Sequence, residues 1–217
     1  MSALTLVIGN KNYSSWSMRP WLVLRQAGIP FEELRIPLYT PDTSAALARW
    51  SPSGKVPVLH DGELVVWDSL AICEYLAERY PDKGLWPADA AARAVARSVS
   101  AEMHAGFAEL RSALPMNSRR HITGRAINEG GRSDIARVTA IWNSCRSRFG
   151  AGGPFLFGGF TIADAMFAPV VLRFATYGVV LEGAARAYAD AITSLPAIQE
   201  WLAASREEAE TIEAFEL

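Results

Sequence analysis

Cysteine is scarce in this chain. The two present, Cys73 and Cys145, lie far apart and neither has a CxxC neighbour. That spacing argues against a disulfide framework and against a cysteine metal site, and it fits a reduced, cytoplasmic protein. Basic blocks are also missing. The formal net charge is -2, and the densest basic cluster, Arg119 and Arg120 beside His121, reads as a solvated loop. No nucleic-acid partner is expected. No apolar run reaches the length of a membrane span, so no membrane partner is expected. The apolar stretch 1–9 has no basic start and no small-residue cleavage site.

What is present is a globular balance, 50% hydrophobic and 20% charged over 217 residues, enough for two small domains with real cores. Residues 4–8 form an apolar run read as a buried strand. A polar loop follows over 9–15, then a helix over 17–27, with Ser17 as its cap and Pro20 tolerated in its first turn. Residues 31–38 alternate, with Leu34, Ile36 and Leu38 on one face, as a half-buried strand does. A short helix is expected over 43–50. Runs 56–60 and 63–67 flank Asp61-Gly62, a strong hairpin signal. A helix over 68–80 stops at Pro81. The order is β-α-β-α-β-β-α, a mixed sheet covered by helices.

Beyond Pro87 strand signals vanish and alanine becomes frequent. One long helix is predicted over 88–114, with Val95, Val99, Met103, Phe107 and Leu110 at spacings of three and four. Residues 116–131 read as a loop. Further helices are predicted over 133–149, 161–178, 184–192 and 196–209. The division is therefore an α/β domain over 1–80, a linker over 81–88 and an all-α domain over 89–217.

Four local features carry chemistry. Tyr13-Ser14-Ser15-Trp16-Ser17-Met18-Arg19 joins the first strand to its helix, and hydroxyls and free N–H groups at a helix start suit an anion, though capping alone explains one serine. In Lys55-Val56-Pro57-Val58-Leu59, Pro57 is either a cis proline that turns the Val56 backbone outward or an ordinary strand opener. Asp68-Ser69 at a helix start either caps it or holds an amine and a carboxylate. Thr161 and Asp164 have capping-box spacing and read as structural.

This ordered set, Ser14-Ser15-x-Ser17-x-Arg19, Lys55-Val56-Pro57-Val58-Leu59, Asp68-Ser69-Leu70-Ala71-Ile72 and Thr161-Ile162-Ala163-Asp164, is similar to that of the glutathione transferase superfamily. The likeness covers nearly the whole chain. The first motif most resembles that of zeta-class enzymes, which include maleylacetoacetate isomerases and carry Ser-Ser-Cys-Ser-Trp-Arg. Here Trp16 stands at the cysteine position, which turns the expectation away from a cysteine-based mechanism.

The resemblance implies a thioredoxin-like N-terminal domain and an all-helical C-terminal domain. It implies glutathione as co-substrate, no bound cofactor or metal, a small hydrophobic electrophile as acceptor, and a homodimer paired through the long helix. It places Ser14 at the glutathione sulfur, with Ser15 as the alternative. Val56 would pair with the cysteinyl backbone ahead of cis-Pro57, with Lys55 in the same binding set. Asp68 and Ser69 would hold the γ-glutamyl end, although the family often has Glu or Gln where this chain has Asp68. The acceptor pocket would lie between the domains, bounded by the loop before Ser14 and the helix near 103–111. His104 on that helix either faces the glutathione cleft or is a helix-surface histidine. His60 and Cys73 read as structural.

The energetics suffice. Holding a thiol of pKa ~8.5 as thiolate below neutral pH needs a shift of about two units, roughly 2.7 kcal/mol. A hydroxyl hydrogen bond to a charged group supplies about 1.5–3 kcal/mol and a helix N-terminus roughly 0.3–1 more. Two other classes compete: a thiol-disulfide oxidoreductase, which needs a cysteine near residues 14–16, and a non-catalytic binding protein that keeps the fold.

Overall fold

The computed structural model of the protein describes residues 4–216. Strand β1 (Leu4–Ile8) runs parallel to β2 (Phe31–Arg35) and antiparallel to β3 (Val58–Asp61), which pairs with β4 (Leu64–Trp67), giving the sheet order β2-β1-β3-β4. Helices α1 (Ser15–Gln26), α2 (Thr43–Trp50) and α3 (Ser69–Arg79) cover it. The remainder is helical: α4 (Ala90–Ala105), α5 (Ala108–Ala113), α6 (Glu129–Phe149), α7 (Ile162–Thr176), α8 (Gly183–Thr193) and α9 (Pro196–Glu207). This is a thioredoxin-like sheet domain joined to an all-helical domain.

Helix α7 is the axis of the molecule. All its residues except Ala175 are buried, and it packs against α1, α4 and α8. Its start is fixed by Asp164, whose Oδ2 accepts from the Thr161 N–H (2.8 Å) and hydroxyl (3.1 Å), while Oδ1 accepts from the Leu156 N–H (3.0 Å). Burial pushes the Asp164 carboxyl up to about 6 against those donors. The capping box is therefore an interior device tying the 150s loop to α7.

Several expectations change. Helix α6 begins at Glu129, inside the loop expected over 116–131 and four residues before the predicted start, because Asn128 caps it through Gly131 N–H. The single helix predicted over 88–114 is broken into α4 and α5 by Gly106 and Phe107, the latter in the left-handed region at φ 61°. The break turns Phe107 into the core, where it is 7% exposed. Helix α1 starts two residues earlier than predicted, and its cap is Ser14 rather than Ser17. Pro20 consequently lies inside the helix, where its missing N–H removes the bond to the Trp16 carbonyl. Strand β2 stops at Arg35, since Pro37 has no N–H to continue the ladder and Leu38 N–H turns to Asn10 Oδ1 (2.7 Å).

Candidate functional site

The site grows from the start of α1. The tight turn over Asn10–Ser14 brings Ser14 to the N-cap, where its Oγ accepts from Ser17 N–H at 3.4 Å. The Ser14 hydroxyl donates to Ser17 Oγ at 2.7 Å, and Ser17 Oγ also accepts from Gly9 N–H at 3.1 Å. Ser17 thus ties β1 to α1. Ser15, the first residue of α1, accepts from Arg173 Nη2 at 3.2 Å. Tyr13 is committed elsewhere: its hydroxyl donates to Glu216 (2.5 Å) and accepts from Arg119 (2.9 Å) and Ile212 N–H (3.2 Å).

Two cavities meet here. One, of about 570 Å³, is lined by Ser14, Ser15, Arg111 and Arg173 and by Leu38, Leu47, Met116 and Phe215 among others. The other, of about 500 Å³, is lined by Pro57, Asp68, Ser69 and His104 among others. Trp16, Lys55 and Val56 line both. The two are continuous, a groove beside a pocket, and the lining of each mixes polar and apolar side chains, as in a small-molecule site.

In the groove, the Val56–Pro57 bond is cis. Lys55 is fixed through its backbone, which accepts from Ser51 Oγ at 2.7 Å and donates to it at 3.1 Å. Asp68 caps α3 from a positive φ of 74°, its Oδ1 accepting from Leu70 N–H (2.9 Å) and Ala71 N–H (3.4 Å). Its other oxygen, Oδ2, lies 3.1 Å from His104 Nε2. His104 therefore faces the groove and bridges α4 to α3. Ser69 is 1% exposed, and its hydroxyl has no hydrogen-bond partner among the described residues.

Every residue expected to bind glutathione or act on its thiol, namely Ser14, Ser15, Lys55, Val56, Pro57, Asp68, Ser69 and His104, lines this pair of cavities. His60 does not: its Nε2 lies 2.8 Å from the Trp50 carbonyl. Cys73 and Cys145 are buried free thiols, both pushed up by burial, Cys145 to about 11.

Sequence reasoning quoted Arg19 in the first motif and bounded the pocket helix at residue 111, but gave no arginine a role and did not single out Arg173. Arg19 is 2% exposed, and its Nε and Nη1 have no partner among the described residues. Burial, then Arg111 and Arg173, bring its pKa down to about 9. Arg173 is held at about 10 by burial and by Arg111. The Arg19 and Arg111 guanidiniums sit 4.2 and 4.7 Å from the Trp16 ring centroid, and His104 meets the same ring at 5.4 Å, edge-on. No carboxylate of the described residues forms an ion pair with these three arginines. Three cations held together in this way favour an anion beside them. One signal was available: Arg173 is the single charge in the otherwise apolar run 165–175 of α7.

Comparison with known proteins bears on this geometry. The model for the glutathione S-transferase N-terminal domain matches residues 13–79, and that for the glutathione S-transferase C-terminal domain matches residues 89–204. A probable maleylacetoacetate isomerase from Caenorhabditis elegans is 34% identical over 96 residues, 44% of this chain and 44% of that protein. The match thus spans under half of that relative's length. Among solved structures, the holo form of a maleyl pyruvate isomerase, described as a bacterial zeta-class glutathione S-transferase, superposes with a TM-score of 0.73 at 26% identity, covering 94% of this chain and 100% of that one. A glutathione transferase homologue from Burkholderia, with bound glutathione, gives 0.70 at 24% identity, covering 96% and 100%.

Proposed function

Because the chain belongs to the glutathione S-transferase family, we propose that it binds glutathione in the groove and conjugates it to a small electrophile held in the neighbouring pocket. The observation that carries this reading is two serine hydroxyls, Ser14 and Ser15, at the start of α1 in the pocket, next in the chain to Trp16, which lines groove and pocket alike. Glutathione would lie along the groove with its γ-glutamyl end at Asp68 and Ser69 and its cysteinyl backbone on Val56, ahead of cis-Pro57. Lys55 is placed to attract a carboxylate, and His104 steadies Asp68 on the amine. The thiol then meets the serine pair at the helix N-terminus, where N–H groups and hydroxyls favour sulfur as anion. The thiolate attacks the electrophilic carbon with its electron pair. A leaving group departs with the displaced pair, or the adduct takes a proton from water. The free buried thiols Cys73 and Cys145 suit a reducing compartment such as the cytoplasm.

Isothermal titration with glutathione, followed by release of chloride from an activated chloroarene, tests the reading. Expected are saturable binding and glutathione-dependent release. Binding without turnover across several electrophile classes would favour a non-catalytic binding protein; no binding at all would remove glutathione from the account.

One observation favours a second activity at the same site. Arg111 and Arg173 line the acceptor pocket without a carboxylate partner, which suits an unsaturated acid. Thiolate addition to its double bond, rotation about the resulting single bond and expulsion of the thiolate would isomerise it without consuming glutathione. An isomerised product at constant glutathione identifies this outcome.

A further inference from the structure

We propose that, within the serine pair, the hydroxyl that holds the thiolate is that of Ser15, and that Arg173, reaching in from α7, acts on the thiolate through it. This rests on the glutathione reading above and names the groups that carry its central step.

Four hydroxyls stand near the start of α1. Ser17 is fully buried and lines neither cavity, and hydrogen bonds separate the other three. The Tyr13 hydroxyl is surrounded by Glu216, Arg119 and Ile212 N–H, and its hydrogen goes to the carboxylate at 2.5 Å. The Ser14 hydrogen goes to Ser17 Oγ at 2.7 Å, and the Ser14 oxygen caps the helix. Using Ser14 as donor gives up this short bond to Ser17 Oγ. Ser15 is arranged the other way round. Its oxygen accepts from Arg173 at 3.2 Å, and its own hydrogen has no acceptor among the described residues. Because a guanidinium has only donors, that hydrogen cannot be turned toward Arg173. Ser15 also lines the pocket, so the pocket is where the hydrogen finds an acceptor.

Arg173 is a costly residue to place here. It is 7% exposed in an apolar helix, with Nη1 donating to the Leu114 carbonyl and Nη2 to Ser15. The Leu114 bond fixes the guanidinium, so its second arm is aimed rather than mobile. A charged donor on the oxygen of a hydroxyl polarises the O–H bond and strengthens the bond which that hydrogen makes. The chain Arg173–Ser15–sulfur is therefore a relay of polarisation, not of protons. The thiol proton leaves to water, Ser15 keeps its own, and the sulfur keeps the electron pair for attack. Arg173 is a positioning residue, since it reaches the sulfur through Ser15. It also makes thiol activation depend on the docking of the two domains, because Ser15 begins α1 and Arg173 belongs to α7.

The test is ultraviolet titration of the thiolate in the glutathione complex of the full chain. Ser15→Ala is expected to raise the bound thiol pKa by roughly one to two units, the worth of one charged hydrogen bond, and Ser15→Thr to restore most of it. Ser14→Ala is expected to shift it by less than half as much. Arg173→Gln is expected to raise it by about one unit in the wild-type background and to add almost nothing in the Ser15→Ala background, because both changes remove one relay. A poorly folding Arg173→Gln leaves the serine comparison decisive. A larger shift in Ser14→Ala than in Ser15→Ala overturns the assignment. Additive effects of Arg173→Gln and Ser15→Ala overturn the relay. A wild-type chain that binds no glutathione overturns the functional reading itself, and this inference with it.

Discussion

Ser69→Ala should make the free protein more stable and its glutathione complex weaker. Ser69 begins α3, is 1% exposed, and its hydroxyl has no partner among the described residues. A buried hydroxyl left unpaired costs about 1–3 kcal/mol. Removing it should gain about 1 kcal/mol, which raises Tm by about 2–4 °C in a chain of this size. If the same hydroxyl bonds a glutathione carboxylate, its loss costs about 1.5–3 kcal/mol of binding, or about 10- to 150-fold in Kd. The two effects cross when ligand is added. At 100 times the wild-type Kd, glutathione stabilises the wild type by about 2.7 kcal/mol, and a variant with 30-fold weaker affinity by about 0.9. The wild type should then lead by about 0.8 kcal/mol, reversing the order of the two melting temperatures. In kinetics the loss should fall on KM, with kcat nearly unchanged, because the contact is remote from the reacting sulfur. Differential scanning fluorimetry with and without glutathione reads both effects. A variant less stable than wild type in the absence of ligand and unchanged in KM would refute the reasoning.

Three further outcomes follow from the same structure. Asp164→Ala strands the buried N–H groups of Leu156 and Thr161 and should cost about 3–5 kcal/mol in a urea melt; a loss under about 1 kcal/mol would contradict the structural role. Burial lowers the His104 pKa, opposed by Asp68 and reinforced by Arg19 and Arg111. Because the folded value lies below the unfolded one, the stability it contributes is present above about pH 6.5 and is lost as pH falls through the folded value; His104→Gln should flatten that acid-side loss in thermal melts, and an unchanged pH profile would assign the loss to other groups. The chain should form a homodimer, because Ala91, Ala94, Ala101 and Ala105 are all exposed on α4 while Trp67 and Leu64 are each 48% exposed on edge strand β4. Light scattering at micromolar concentration checks this, and a single species at monomer mass, with or without glutathione, would refute it.

Local chemistry made much of the fold legible. The Asp61-Gly62 pair announces the β3–β4 hairpin, although the turn itself is Gly62-Glu63 and Asp61 ends β3, and the apolar run before residue 9 announces β1, an interior strand. Thr161 and Asp164 announce the start of α7. The break at Gly106–Phe107 was not legible, because the side-chain bonds that hold it leave no mark on the spacing of apolar residues. Arg111 folds back so that its Nη2 takes the Met103, His104 and Gly106 carbonyls at 2.8, 2.9 and 2.5 Å. Those acceptors would otherwise go unpaired at the end of α4. The site was legible as a set of motifs, but not in its hydrogen bonds. Ser14, Ser15 and Ser17 stand within four positions with the same side chain. Only the folded chain separates a cap from a knot and from a free donor. The Arg173–Ser15 bond joins residues 158 apart, a separation that no local pattern spans.

Trp16 explains how Arg19 and Arg111 sit together although no carboxylate pairs with them directly, Asp68 being held by the start of α3 and by His104. Arg19 and Arg111 are like charges held against one ring, at 4.2 and 4.7 Å from its centroid. Such pairs are worth about 0.5–2 kcal/mol each, more where water is excluded, and this offsets part of the repulsion between the guanidiniums. A carboxylate in the same place would neutralise them more fully, and would also compete with an anionic ligand for their N–H groups. An aromatic face steadies the cations while leaving their donors unspent, as the unpartnered Arg19 Nε and Nη1 and Arg111 Nε illustrate. The indole at the position of the zeta-class cysteine therefore does two things. It removes a thiol, and with it any disulfide exchange at that position. It also keeps the field at the start of α1 positive, which is the condition a serine needs if it is to hold a thiolate without a base.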